Sequence, residues 1–288
     1  MAELEPLSQH DAIRTLESDN ELMNVAIVGL GSIGTTLARK LGQDGVMGVN
    51  LTAVAVRSKD KAHAVLEGAG LKVPILDISE LPNVADLVIE CAPAAILPEI
   101  VRPVLVAGKK IMVVSCGALL NHPELTDLAR ETGGQIIIPT GALIGLDAVS
   151  AAAEGNITSV RMVTRKPIKG LLGAPHLVEN GIDIEGITEP MRVFEGTARQ
   201  AAKGFPANLN VAVALSLAGI GPDKTLLEIW ADPTATRNSH NIIVDSDSAS
   251  FEMSIENIPS ENPKTGRITA LSVIAAIRKM TAPLRVGT

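Results

Sequence analysis

At 288 residues, 46% of them hydrophobic and 20% charged, the chain has the make-up of a globular protein long enough for two domains. Its formal net charge of −7 argues against nucleic acid and anionic membrane as partners, since both require a basic surface, and sends any anionic ligand to a local basic pocket. Three Phe, one Trp and no Tyr leave almost nothing to stack on bases and require a core of Ala, Val, Ile and Leu.

The first 23 residues are acidic and lack the apolar run of a secretory signal; they read as an N-terminal extension (1–23) with an amphipathic helix near Ala12 to Leu22. From Asn24 the texture changes. VAIVGL is a short, continuous apolar run rich in β-branched residues, as expected of a strand buried on both faces. It runs straight into GSIGTTLARKLGQ, where Ile33, Leu37 and Leu41 recur at four-residue spacing and share one helix face. The alternation continues with strands in LTAVAVR, ADLVIECA, KIMVVSCGAL and QIIIPTGA and helices in KAHAVLEGAG, ILPEIVRPVLVAG and PELTDLARETG. Pro103 falls inside one of these helices and predicts a kink or a restart there. The order predicts an α/β fold, a Rossmann-type doubly wound parallel sheet over residues 24–141.

From residue 142 the strand candidates lengthen: SVRMVTRKP, LLEIWADP, NIIVDSD and SFEMSIENIP alternate apolar and polar residues, as in a sheet with one solvated face. One helix, NLNVAVALSLAGI, interrupts them. Residues 142–263 thus read as a second, α+β domain with a mostly antiparallel sheet, and 264–288 as a C-terminal helix packing back on the first domain. No run approaches the roughly 18 uninterrupted apolar residues of a membrane helix. Cys91 and Cys116 are far apart and no histidine stands at metal-ligand spacing, so neither a disulfide framework nor a metal site is expected, and a reducing, cytoplasmic setting fits best.

Gly29, Gly31 and Gly34 form G-x-G-x-x-G between the first strand and the first helix, with Ser32 and Ile33 opening that helix. In this context the motif predicts a dinucleotide site. The chain turns tightly at Gly29, the backbone approaches a pyrophosphate at Gly31, helix and strand pack closely at Gly34, and the helix N-terminus faces the phosphates. An NAD-specific site has an acid at the end of the second strand to hold the ribose 2′-hydroxyl. Here VAVRSKDK puts Arg57 and Ser58 at that point. Arg57 is either a partner for the 2′-phosphate of NADP or a solvated loop charge; the first reading predicts that NADP is accepted at least as well as NAD.

The segments VAIVGLGSIG, VIECAPAAI, SCGAL, PTGALIGLDAV, TRKPIKGL, FPANLNVAVALSLAG and ADPTATRNSH together resemble the L-aspartate dehydrogenase family, from about residue 24 to the end, with FPANLNV and RNSH the most specific parts. The resemblance implies interconversion of L-aspartate and iminosuccinate, which hydrolyses to oxaloacetate and ammonia, with NAD or NADP. It assigns proton transfer at the substrate nitrogen to His240, a residue type whose ordinary pKa near 6.5 suits the task. It also implies that an asparagine of FPANLNV contacts the nicotinamide. Asn208 and Asn210 lie about 200° apart around a helix, so only one faces the cofactor; Asn210 is preferred, Asn208 is retained, and one of the two suits the helix N-cap. Ala142 matches the small residue where the backbone of the family approaches the cofactor, or serves only to pack a tight turn.

A dicarboxylate substrate needs cations, and Arg165, Lys166, Lys169 and Arg237 are the candidates, with Asn238 beside the last; each charge alone also suits a solvated face. Alternation puts Arg161, Val163 and Arg165 on one face of a strand and Met162, Thr164 and Lys166 on the other, so Arg165 and Lys166 do not both point inward. His10, His63, His122 and His176 read as structural or exposed. A homodimer is expected by analogy of fold. Two other functions remain open at this point: a related two-domain reductase of another amino, imino or semialdehyde acid, and an NADP-binding sensor without turnover.

Overall fold

A computed structural model describes residues 22–206, 209–260 and 266–288, so the helix expected near Ala12 to Leu22 falls almost wholly outside the described residues. The first sheet is parallel throughout. Its strands are β1 (Met23–Val28), β2 (Val49–Ala55), β3 (Leu87–Glu90), β4 (Lys110–Val113) and β5 (Gln135–Ile137), in the order β2-β1-β3-β4-β5. Helices α1 (Ser32–Gly42), α2 (Lys59–Gly68), α3 (Leu97–Val106) and α4 (Glu124–Thr132) alternate with the strands.

In this first domain three features differ from the sequence reading. Helix α3 runs through Pro103 without a restart, because the fully buried Ile100, Val101, Val104 and Leu105 anchor it on both sides of the one hydrogen bond that proline removes. The strand in KIMVVSCGAL ends at Val113: the N–H groups of Val114 and Ser115 turn to the Glu90 carboxylate instead of a ladder partner, and Cys116–Asn121 coil into a 3-10 helix. The strand in QIIIPTGA stops at Ile137, ahead of Pro139, which has no N–H for a ladder, and Gly141, whose φ is +67°.

The second sheet comprises β6 (Ile157–Pro167), β7 (Met191–Thr197), β8 (Leu226–Asp232), β9 (Asn238–Ser246) and β10 (Ser250–Asn257), ordered β10-β9-β6-β8-β7. The β6–β8 pair is parallel and the other pairs are antiparallel, so the sheet is mixed. Helices α5 (Leu146–Ala153), α6 (Pro175–Glu179) and α7 (Ala198–Gly204) join the one helix read from the sequence, α8 (Asn210–Ala218). Edge strand β7 lacks an apolar period, with only Val193 buried in MRVFEGT. Helix α7 does carry a local signature, the Thr197/Gln200 capping box: Gln200 N–H donates to Thr197 Oγ1 and Thr197 N–H to Gln200 Oε1.

The first sheet is packed on both faces, as its continuous apolar strands require. On one side Val25, Ile27, Leu87 and Ile89 meet Leu37 and Leu41 of α1 and Val273, Ile274 and Ile277 of α9 (Ile268–Thr281). On the other, Ala26, Val28, Val88 and Ile111 meet the buried face of α3. Each Leu or Ile buried here stabilises the fold by roughly 1.5–3 kcal/mol. Helix α8 is apolar all round because it serves two cores, Val213 and Ala214 in the first and Ala212 and Leu215 in the second. The strand order reverses at β1, which has β2 on one side and β3 on the other, and the carboxyl ends of β1 and β3 open the crevice where such sheets bind ligands. Among the described residues no helix is long and apolar enough to cross a membrane.

Candidate active site

The crevice begins at the glycine loop. Gly29, at φ +92°, follows β1 and donates its N–H to the Ala55 carbonyl at the end of β2, 2.8 Å away. A Cβ on Gly29 would lie 2.6 Å from the Cys91 carbonyl oxygen, and one on Gly34 only 1.9 Å from the carbonyl oxygen of Gly29. Gly31 is different: its φ of −75° suits any residue, yet nothing lies within 4 Å of where its Cβ would be. Packing therefore demands two of the glycines, while the third leaves a cradle open. Gly31 caps α1 without any side-chain hydrogen bond and no acid stands in the first turn, so the N–H groups and positive end of the helix face that space. The cradle fits a dinucleotide pyrophosphate, with the backbone at Gly31, Ser32 and Ile33 to hold it. Gly34→Ala is expected to destabilise the fold by about 1–3 kcal/mol or more. Gly31→Ala should leave the melting temperature near wild type and weaken cofactor binding; calorimetry with a nucleotide-binding titration separates the two.

Next to the cradle lies a cavity of about 400 Å³. Ile33, the turns after β3 (Cys91–Ala94) and β4 (Val114–Cys116) and the loop Pro139–Ala142 line one side, and Lys166, Asn238, His240 and Asn257 of the second sheet line the other. The strand register creates the latter group. His240 on β9 pairs with Thr164 on β6, and its Nδ1 lies 3.1 Å from Thr164 Oγ1. Lys166 is two residues beyond Thr164 and Asn238 two before His240, hence on the same face, and Asn257 of β10 is the cross-strand partner of Asn238.

His240 is 3% exposed and Lys166 4%. Burial, with the nearby Lys166 charge adding to it, pushes the imidazole pKa down to about 3; burial brings the Lys166 ammonium down to about 8. The imidazole is therefore neutral at working pH, with Nδ1 engaged by Thr164. Stability against pH follows. Between the ordinary histidine pKa of about 6.5 and the folded value near 3, the unfolded chain binds the extra proton. The contribution is complete above pH ~6.5 and is lost as pH falls towards 3, at about 1.4 kcal/mol per unit at most. Urea midpoints of the wild type against His240→Gln across that range should show the variant with the flatter profile.

Of the cations proposed from sequence, Lys166 alone lines the cavity among the described residues. Arg165 lies on the opposite face of β6, its guanidinium 5.1 Å from the Trp230 ring centroid and 3.7 Å from the Asp232 carboxylate. Arg237 is half-exposed, 4.0 Å from Glu256, and Lys169 is exposed; neither lines the cavity. Arg57 is also outside it, exposed two residues past Ala55, whose carbonyl anchors Gly29. Asn208 lies outside the described residues. Asn210 lines the cavity but does not cap α8, since Leu209 holds that position; its Oδ1 accepts the Gly117 N–H at 3.0 Å. Ala142 lines the cavity and its carbonyl accepts Asn257 Nδ2 at 2.9 Å. His63 is exposed, His122 contacts Glu124, His176 packs on Phe194 and Phe205, and His10 lies outside the described residues.

Sequence reasoning missed Asn257, although Phe251, Met253 and Ile255 at every second residue put it next on an inward face. It also missed Glu90, the one acid in an otherwise apolar strand and 0% exposed.

Residues 29–139 match the family model described as homoserine dehydrogenase, NAD binding domain, and residues 147–280 that described as aspartate dehydrogenase, C-terminal. An L-aspartate dehydrogenase of Bradyrhizobium diazoefficiens is 60% identical over 276 residues, which cover 96% of this chain and 98% of the relative. L-aspartate dehydrogenase 3 of Bordetella bronchiseptica is 59% identical over 271 residues, 94% and 100% of the respective chains. The crystal structure of an aspartate dehydrogenase from Thermotoga maritima aligns with a TM-score of 0.71 at 26% identity, covering 92% of this chain and 99% of that one. A scyllo-inositol dehydrogenase from Lactobacillus casei, at 12% identity and a TM-score of 0.53, shares the fold alone. With its Rossmann crevice, its second sheet and relatives of this identity along nearly its whole length, the chain belongs to the aspartate dehydrogenase family.

Proposed function

We propose that the chain is an NAD(P)-dependent L-aspartate dehydrogenase, interconverting L-aspartate with iminosuccinate, which water converts to oxaloacetate and ammonia. The observation that carries the reading is the cavity itself, which has the nucleotide cradle beside one wall and a buried imidazole with a buried ammonium on the other. When bound, the nicotinamide supplies the acceptor or donor of hydride at C2 of the substrate. The residues of the chain supply the rest.

His240 moves the proton at the substrate nitrogen. Towards iminosuccinate, Nδ1–H donates to Thr164 Oγ1, which leaves the Nε2 lone pair for the amine proton; in the reverse direction Nε2–H returns it. Entry of a dianionic substrate raises the pKa of His240 from its empty-cavity value and so readies it to hold that proton. Lys166 holds a substrate carboxylate, with Asn238 beside it as a polar partner.

Arg57 follows the strand that anchors Gly29, and we assign it to the 2′-phosphate of NADP. Arg57→Glu should then raise KM for NADP about tenfold or more and leave KM for NAD within a few-fold; equal effects on both would remove the assignment. The outer face of the second sheet, where half-buried Val163, Trp230 and Ile243 sit among Arg161, Arg192 and Glu228, is the proposed seat of a homodimer. Sedimentation at the 30.0 kDa monomer mass would rule that out.

A substrate panel followed at 340 nm tests the activity. Oxaloacetate with ammonia should be turned over with NADH or NADPH at a kcat/KM well above that of semialdehydes and monocarboxylic oxo acids. A better semialdehyde substrate would assign the chain another reaction.

A further inference from the structure

Glu90 ends β3 as a carboxylate with no exposure, at the carboxyl edge of the parallel sheet. Its partners come from the two strand ends that wall the cavity. Oε1 accepts the Ala92 N–H at 2.8 Å, and Oε2 accepts the N–H groups of Val114 and Ser115 at 3.1 and 2.9 Å. The Ser115 hydroxyl lies 3.0 Å from Oε1 and 3.1 Å from the Ala92 carbonyl and has one hydrogen to share between them. None of these partners is a cation. Ala92, Val114 and Ser115 all line the cavity, so the charge sits one residue behind its wall.

The position has two consequences. The carboxylate ties the turn after β3 to the turn after β4 and so fixes the shape of that wall. It also puts a carboxylate with no ion-pair partner among the described residues at the edge of the cavity: burial raises its pKa, while the hydrogen bonds from Ser115, Ala92 and Val114 favour the charged form, whose field acts on whatever the cavity holds. That field reaches the wall: burial first, and then the Glu90 charge, holds the Cys91 thiol well above its ordinary pKa and pushes Cys116 up to about 12.

We propose that Glu90 is a positioning residue whose charge favours the oxidised, cationic nicotinamide over the reduced, neutral one in this cavity. The inference rests on the cofactor assignment made above. A nicotinamide ring that exchanges hydride with a substrate beside His240 has to occupy this cavity, where its charge differs by one unit between the two redox forms. A fixed anion behind the wall acts on that difference, whereas the shape of the wall acts on both forms alike.

The test is the ratio of dissociation constants for oxidised and reduced cofactor, measured by titration without substrate on wild type, Glu90→Gln and Glu90→Asp. Glu90→Gln should shift the ratio about tenfold towards the reduced form. Glu90→Asp keeps the charge with a shorter reach; it should weaken both forms and hold the ratio near wild type. Equal weakening of both forms by Glu90→Gln would overturn the proposal and leave Glu90 a purely structural tie. Should Glu90→Gln not fold, Ser115→Ala gives the second reading: it removes one of the hydrogen bonds that hold Glu90 in its charged form, so the ratio should move towards the reduced form, and an unchanged ratio or a move towards the oxidised form counts against the proposal. Binding of neither form by wild type would instead refute the cofactor assignment, a result separate from any shift in the ratio.

Discussion

Replacing His240 with alanine is expected to lower kcat by about 10²–10⁴-fold, the usual range for removal of a general acid or base, and to leave cofactor affinity close to wild type. The two effects separate because the nucleotide cradle at Gly29–Gly34 belongs to the first sheet, while His240 stands on β9 of the second. Loss of the ring also leaves Thr164 Oγ1, buried with 0% exposure of its residue, without its imidazole partner, so a stability cost of about 1–3 kcal/mol accompanies the change. Cofactor titration and calorimetry on the same preparation distinguish lost chemistry from lost fold. Turnover within a few-fold of wild type would show that the proton moves by another route.

The second large effect belongs to Lys166. Lys166→Met keeps an unbranched stem of similar length in a buried position and removes the charge, so packing is largely preserved. A charge-assisted hydrogen bond contributes about 1.5–3 kcal/mol, so KM for L-aspartate or oxaloacetate should rise roughly 10–100-fold. Monocarboxylic analogues should lose far less, and that contrast marks the residue as a reader of the second carboxylate. The imidazole also loses a neighbouring positive charge, so the His240 pKa should move upward from about 3 while burial still holds it below its ordinary value. An unchanged KM with a displaced pH profile would restrict Lys166 to tuning the imidazole.

Much of this was legible in the amino-acid order, for reasons that differ from element to element. Continuous apolar runs such as VAIV and LVI follow from burial on both faces of a parallel sheet, and the glycine spacing after the first of them follows from backbone contacts no side chain tolerates. Those are local constraints, so they leave a local trace. The opposite placement of Arg165 and Lys166 was equally readable, because alternation along a strand needs no tertiary information; which face is inward did not follow from β6 alone.

What stayed hidden depends on neighbours distant in the chain. The partner of His240 is Thr164, 76 residues away, and only the β6–β9 register brings them together. No acid near RNSH oriented the imidazole because a hydroxyl on the adjacent strand does so. The two cores that share α8 were not separable in its apolar run, and β7 gave no strand signal because MRVFEGT buries only Val193 and has no apolar period. Glu90 went unread since a carboxylate closing an apolar strand looks like a solvated end until the turn after β4 is seen to fold over it.

The most direct measurement is product identity when oxaloacetate is offered with NADH or NADPH, in the presence and absence of ammonia. L-Aspartate should form in equal amount to the cofactor oxidised, only when ammonia is supplied, and should vanish in His240→Ala enzyme that still binds cofactor. Formation of a 2-hydroxy acid without ammonia, or of L-aspartate at an undiminished rate without His240, would contradict the proposed chemistry.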